Sequence, residues 1–461
     1  MGLGNKWEVC LWIATGVLLV AFLLNFILKA GFFITNIAKP LPPFQLDFGA
    51  YYVAASVLNS DQPVLYDDRI TESISQQVFK EKVKLPPYIY PPFFAWTLRP
   101  LALLPYSQAV VVWLVFNIIL SVFIVIPLCR LAKLPLNWIA VGSVLLLVWI
   151  FPLTSQSALN VGQVNIIMLL LLILVAYYSD YSSSSKEHLL KDLVVGIAIG
   201  LAVGIKLFFA PLVLYFFFYN RRRIALISVI TFLMTIAIGA AGAGVDNTSR
   251  YFYLMFPQLQ QFGHNPNWLN FSLGPTIERM FSPASFERGF FFEKNLIAIQ
   301  TSALINHPEL GAWLGRIASG LLIILVTALL IYDWITNRNN PEVKHDLRVS
   351  ILILTIMLCM PLSWSHSFIL VLMPLVIIMS PFRRLLVKWE WRYSLSLLAL
   401  ALLMVNLNWN YIYFIMGWSS VPSWLLMLGT LGILIIVFIL FIELLREEKE
   451  IDPRGNNQSF T

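Results

Sequence analysis

The chain has 461 residues, 59% hydrophobic and 12% charged, with a mean hydropathy of +0.78. A soluble domain is about 45–50% apolar and about 25% charged, so a soluble fold is excluded and an integral membrane protein is expected. The formal net charge of +7 matters through its placement, and with no Gly-rich phosphate loop or Rossmann pattern neither a nucleotide-sugar substrate nor a nucleic-acid partner is expected.

Apolar runs near the ~20 residues that cross a bilayer recur along the chain, which predicts helices and rules out a closed β-barrel. In chain order the windows lie near 7–30, 106–129, 136–153, 163–178, 192–205, 207–219, 223–244, 312–335, 348–361, 367–380, 393–409 and 421–445, about twelve helices. Several are short for a full crossing, and tilted, broken or re-entrant segments are expected among them. The first, from about Trp7 to Ile27, exceeds a signal-peptide core and lacks an A-x-A site, so it reads as a retained helix. Cys10, Cys129 and Cys359 lie in apolar segments without a recognisable spacing, and no disulfide, metal site or cofactor is expected.

A cytoplasmic N-terminus puts Lys6, Arg130, Lys133, Lys186, Lys191, Arg221 to Arg223, Lys344, Arg383, Arg384 and Arg446 on one side. The short loops opposite, near 154–162, 362–366 and 410–420, contain no Lys or Arg, which is the positive-inside bias. Two long loops, about 31–105 and 245–311, then face outward and carry apolar and aromatic stretches suited to short amphipathic helices. Residues 1–446 form one membrane domain on this reading, with 447–461 as a disordered cytoplasmic tail.

Polar groups out of place are sorted by side. "DFGAYYVAASVL" (47–58) reads as a short helix with Asp47 as its N-cap, a capping role and a functional role weighing evenly. "YIYPPFFAWTLRPLALLP" (88–105) turns at paired prolines that structure alone would explain. "LNVGQVNIIMLL" (159–170) sets Gln163 and Asn165 at the outer mouth of a helix, and polar helix starts are common. Lys206 lies between two apolar halves at the outer face, where an anion site is favoured over snorkelling. "HNPNWLNFSLGPTIERMF" (264–281) adds Arg279, and "MPLSWSHSFILVLMP" (360–374) brings Trp364 and His366 to an outer turn. A lone histidine is usually structural, yet this one shares its side with Asp47, Gln163 and Lys206. Asp61, Asp67 and Asp68 could hold a cation, and a solvated surface is preferred.

A lysine suits a lipid-linked phosphate, aromatic faces suit sugar rings, and Asp47 can take a proton from an acceptor hydroxyl as phosphate departs. The blocks from "DFGAYYVAASVL" and "LYD" through "YPPFFAWTLRPLALLP", "NVGQVNIIMLLLLIL", "GIAIGLAVGIKLFFAPLVLYF", "NRRR" and "PLSWSHSFILVLMP" occur in an order that resembles glycosyltransferase family 87. These are polyprenol-phosphate-mannose-dependent mannosyltransferases of the GT-C superfamily, and the resemblance runs from about residue 47 to 374. It implies a GT-C all-α fold and an inverting displacement without metal. The donor would be a polyprenyl-phosphate sugar, the acceptor a lipid or glycan, and the site would face outward from the plasma membrane. It further implies Asp47 as base, a donor-phosphate role for Lys206 and site-lining roles for Gln163 and His366. Beside these, Arg279 is a second candidate against the departing phosphate, Tyr90, Asn165 and Trp364 are candidates to line the substrate, and Tyr51 and Tyr52 could support either the loop or the sugar. Ser367 stands where many members have a second histidine. The rival readings are a secondary transporter, disfavoured by unmatched halves, and a polysaccharide polymerase or ligase using a lipid diphosphate donor.

Overall fold

The computed structural model describes residues 46–80, 85–134, 136–138, scattered positions between 141 and 159, 161–179, 187–262, 270–288, 297–336, 344–385, scattered positions between 397 and 405, and 420–445. The expected first helix, the polar tail and most of the windows at 136–153 and 393–409 lie outside the described residues.

The first outer loop is built from helices. Helix α1 (Leu46–Leu58) carries Asp47 in its first turn, and it ends where Asn59 and Ser60 bond back to Ser56 and Val57. The expected surface-lying, one-sided helix is corrected here. Phe48 to Ala55 are buried on every side, because α1 packs inside the loop domain and not along the bilayer surface. Helix α2 (Asp68–Phe79) is the amphipathic surface helix, capped by Asp67, whose carboxylate accepts from the Arg69 and Ile70 amides. That capping role accounts for Asp67 without a cation. Helix α3 (Pro92–Thr97) starts on proline, whose fixed φ suits the first helical position.

The membrane part follows as α4 (Tyr106–Phe123), α5 (Val125–Leu131), α6 (Asn165–Ser179), α7 (Glu187–Ile205), α8 (Pro211–Phe218) and α9 (Arg222–Ala243). The second outer loop contains α10 (Val245–Arg250), a π-turn at Tyr251–Met255, α11 (Phe256–Phe262) and α12 (Leu273–Phe281). Helices α13 (Pro308–Thr336), α14 (His345–Cys359), α15 (Leu372–Leu385) and α16 (Leu428–Leu445) complete the described chain. Among the described residues five helical stretches are long and apolar enough to span: Tyr106–Leu131, His188–Ile205, Arg222–Ala243, Pro308–Thr336 and Leu428–Leu445. Shorter apolar helices, such as Asn165–Ser179 and Leu207–Phe218, pack between them. The protein is a helical, polytopic membrane protein.

One element lies outside the all-helical expectation. β1 (Ala284–Arg288) pairs antiparallel with β2 (Ile297–Ser302), and β2 pairs parallel with β3 (Ser420–Pro422) in the register Gln300↔Ser420. These strands are short, and the parallel partner is distant in sequence, so no local alternation announced them.

Two contacts lock the bundle. Gly196, Gly200 and Gly204 repeat at i+4 on α7 and meet Ile227, Thr231 and Thr235 of α9, and a Cβ on Gly200 would fall 2.4 Å from that of Thr231. At the other end of the bundle the Tyr215 hydroxyl and His345 Nδ1 are hydrogen-bonded at 2.9 Å, and Arg348 and Asp333 form a fully buried ion pair. Burying that pair ties α13 to α14, since removing either partner would strand a charge.

Candidate active site

Three breaks in regular structure aim the site residues. Gly162 has φ 71°, the left-handed region that favours glycine, and its carbonyl accepts from the Trp113 indole at 2.8 Å. That kink turns Gln163 off the axis of α6 toward the first outer loop. Lys206 sits in extended backbone (φ −132°) between α7 and the 3₁₀ turn Leu207–Phe209, where the sequence places it between two apolar halves. Trp364 and His366 lie where a tight turn enters the 3₁₀ segment Ser365–Val371.

The structure brings these residues together. Gln163 Nε2 donates to Asp47 Oδ2 at 2.8 Å, while Gln163 Oε1 accepts from the Tyr51 hydroxyl at 2.8 Å and the Tyr90 hydroxyl at 3.0 Å. The amide is thereby fixed in one orientation with its donor toward the carboxylate. His366 Nδ1 lies 4.0 Å from the same Asp47 oxygen, and its ring stacks on Trp364 at 6.1 Å and 20°. Lys206 Nζ donates to Asn165 Oδ1 at 2.6 Å and sits 5.8 Å above the Tyr90 ring. Asp47 sits in the first turn of α1, not at the N-cap as expected, so its carboxylate points to Gln163 instead of closing the helix end.

Burial dominates the acid–base state. It raises the Asp47 carboxyl to about 6, against the lowering pull of the Gln163 hydrogen bond and the Lys206 charge. Burial likewise holds the Tyr51 and Tyr90 phenols above their ordinary range, so both remain donors to Gln163. The carboxylate can therefore accept a proton near neutral pH, next to a cation able to hold an anion.

Two candidates sit elsewhere. Tyr52 is one residue, about 100° of helix, from Tyr51, and its hydroxyl donates to the Leu104 carbonyl at 2.7 Å, away from Asp47. Arg279 is fully buried, with Nη1 on the Asn270 carbonyl at 2.6 Å and Nη2 on Thr276 Oγ1 at 3.0 Å. It braces the second loop, and no described contact joins it to Lys206.

Asn270 is the residue that sequence reasoning missed. Its amide donates to the Pro361 carbonyl at 2.7 Å, and its Oδ1 accepts from the Ser272 amide at 3.1 Å, the Ser272 hydroxyl at 2.8 Å and the Ser363 amide at 3.1 Å. Its backbone bridges to Trp364. The second loop is thus stitched to the His366 turn, and the only signal was one asparagine among several in a polar stretch.

This helical membrane protein gathers a carboxylate, the amide that clamps it and a lysine in one polar cluster. The profile of Glycosyltransferase family 87 matches residues 88–361, and the chain belongs to that family. The matched region holds Tyr90, Gln163, Asn165, Lys206 and Arg279; Asp47, Tyr51, Trp364 and His366 lie outside it. A polyprenol-phosphate-mannose-dependent alpha-(1-2)-phosphatidylinositol pentamannoside mannosyltransferase of Mycolicibacterium smegmatis is 27% identical over 186 residues, 38% of this chain and 40% of that protein. A protein of the same description from Mycobacterium tuberculosis is 26% identical over 175 residues, 36% of each chain. The similarity thus spans well under half of these relatives. ArnT from Cupriavidus metallidurans, solved bound to undecaprenyl phosphate, aligns with 94% of this chain and 77% of its own. At 14% identity and a TM-score of 0.36 the likeness is too remote to bear on the site.

Proposed function

We infer that the protein is a membrane-embedded inverting hexosyltransferase of GT-C type that moves a sugar, mannose in the first instance, from a polyprenyl-phosphate donor to a hydroxyl of a lipid- or glycan-linked acceptor. The plasma membrane is the setting, with both termini cytoplasmic and the site on the outer face, following the lysine and arginine bias. One observation carries the reading: Asp47, raised to about 6, is clamped by Gln163 within the same polar cluster as Lys206.

Asp47 Oδ2 is occupied by the Gln163 amide, so Oδ1 is the atom offered to the acceptor hydroxyl. That hydroxyl gives its proton to Asp47 as its oxygen bonds to the sugar carbon, and the carbon–oxygen bond to phosphate breaks. Lys206 meets the charge that develops on the departing phosphate. Trp364 supplies an aromatic face for the sugar, Tyr90 lies under Lys206, and Asn165 holds Lys206 in place. Arg279 and Tyr52 act as scaffold in this mechanism.

The test uses the full chain in detergent, with radiolabelled mannose on polyprenyl phosphate and a lipid extract of the host as acceptor. Transfer by the wild type that Asp47→Asn abolishes, with donor binding kept, supports the reading. Undiminished transfer by Asp47→Asn removes the carboxylate from the chemistry.

A further inference from the structure

Helix α6 starts at Asn165, beside Lys206, and runs fifteen residues to Tyr178 and Ser179, on the opposite face of the bundle. There a pocket of about 190 Å³ opens between α5, α6, α7 and the start of α14. Its walls carry Arg130, Lys133, Lys191, Tyr177, Tyr178 and Asp346. The volume is more than ten times what one water molecule needs. None of these residues takes part in the chemistry around Asp47.

The charges are arranged for an anion. Among the described lining residues three are cations and one is a carboxylate, and Asp346 Oδ1 accepts from the Leu347 amide at 2.9 Å. Arg130 lies 5.9 Å over the Tyr177 ring and sends Nη1 to its hydroxyl at 3.4 Å, which steadies the guanidinium and leaves most of its five donors for a ligand. Lys133 ends α5 with φ 53°, where its amide bonds the Arg130 carbonyl at 3.0 Å. Glycine is the usual residue at such a helix end, so a lysine there keeps a charge in place against a backbone preference. Leu189 and Leu190, next to Lys191, are exposed apolar residues, which sets the pocket at the level of lipid headgroups.

We propose that this pocket binds a phosphate group in a cradle of Arg130, Lys133 and Lys191, carried by an anionic membrane lipid or by a soluble phosphate. The inference stands apart from the transfer reaction and survives if that reading fails. The full chain in detergent micelles is titrated with phosphatidylglycerol or phosphatidylcholine, and bound lipid is counted by native mass spectrometry. The wild type should retain phosphatidylglycerol in preference to phosphatidylcholine. Removing two cations in Arg130→Gln/Lys133→Gln should weaken phosphatidylglycerol about thirtyfold, whereas Arg69→Gln/Arg316→Gln, an equal charge change at exposed residues outside the pocket lining, should not. Should the double variant unfold, Lys133→Gln alone, at an exposed side chain, should weaken it about fivefold. Inorganic phosphate is then added as competitor. Displacement of the lipid assigns the pocket to phosphate as such, and retention assigns it to the lipid headgroup. Equal retention by wild type and pocket variants, or equal loss in the control pair, overturns the proposal.

Discussion

Replacing Gln163 with methionine removes the amide donor to Asp47 while keeping nearly the same volume. The Gln163 bond lowers the Asp47 pKa against burial, so its loss moves that pKa upward. A hydrogen bond to a charged acceptor contributes about 1.5–3 kcal/mol, and one pKa unit corresponds to 1.36 kcal/mol, so the shift is about one to two units. Only 18% of the Asp47 side chain is exposed, and solvent screens little of this. Starting from about 6, the carboxyl of Gln163→Met should titrate at about 7–8. A base must be deprotonated to act, so the acid limb of kcat/KM against pH moves up with it. At pH 6.5 a shift of 1.5 units lowers the active fraction about eightfold, and above pH 9 the variant should approach the wild type. Tyr51 and Tyr90, already 3.0 Å apart, can bond each other once the amide oxygen is gone. The assay is initial-rate sugar transfer in buffers from pH 5 to 9.5. A uniform loss at every pH, or an acid limb still near 6, would refute a role for Gln163 acting through the protonation of Asp47.

The same raised pKa has a consequence for stability. A carboxyl at about 6 in the fold and 3.8 in the unfolded chain favours the folded state when protonated, and that contribution is lost as pH rises through 6. Asp47→Asn should therefore unfold at a higher temperature than the wild type at pH 8, by up to about 3 kcal/mol, with the gap shrinking by pH 5. Gly200→Ala would set a methyl 2.4 Å from Thr231 Cβ, forcing α7 and α9 apart at a cost of about 1–3 kcal/mol. Lys206 ends the same helix, so weaker donor binding should accompany the lower midpoint; an unchanged donor KM would separate the two. Asn270→Ala leaves the Pro361 carbonyl without its side-chain partner, while the Ser363 amide keeps the Ser272 hydroxyl at 3.1 Å, and should destabilise the fold by about 1–3 kcal/mol while reducing kcat. Wild-type kcat in a destabilised Asn270→Ala protein would place the His366 turn outside the reaction.

Much of this arrangement was legible before any coordinates. Charge bias alone sorted Asp47, Gln163, Lys206 and His366 to one side, and the structure gathers all four within a single polar cluster. Helix phase was not legible, because choosing between Tyr51 and Tyr52 needs the rotation of α1, which the pattern "DFGAYYVAASVL" leaves open through its nearly uniform apolarity. The same uniformity hid the burial of α1 on all sides. Arg279 was a candidate as a further cation in an outer loop, and in sequence a cation reads alike whether it faces a phosphate or a carbonyl. The parallel β2–β3 pairing and the Asn270 bonds to Pro361 and Ser363 depend on partners some 90 or more residues away, and periodicity carries no signal over such distances.

The Asn270 bracket also divides the molecule in another sense. The wall carrying Asp47, Tyr51, Tyr90, Gln163 and Lys206 is assembled from residues before 207, whereas Trp364 and His366 are held from beneath by the second outer loop. The two walls meet where His366 Nδ1 approaches Asp47 Oδ2 at 4.0 Å, and each is braced by bonds of its own. Descendants of such a chain can remodel the loop that frames one half of the cleft while the proton-handling half is inherited unchanged.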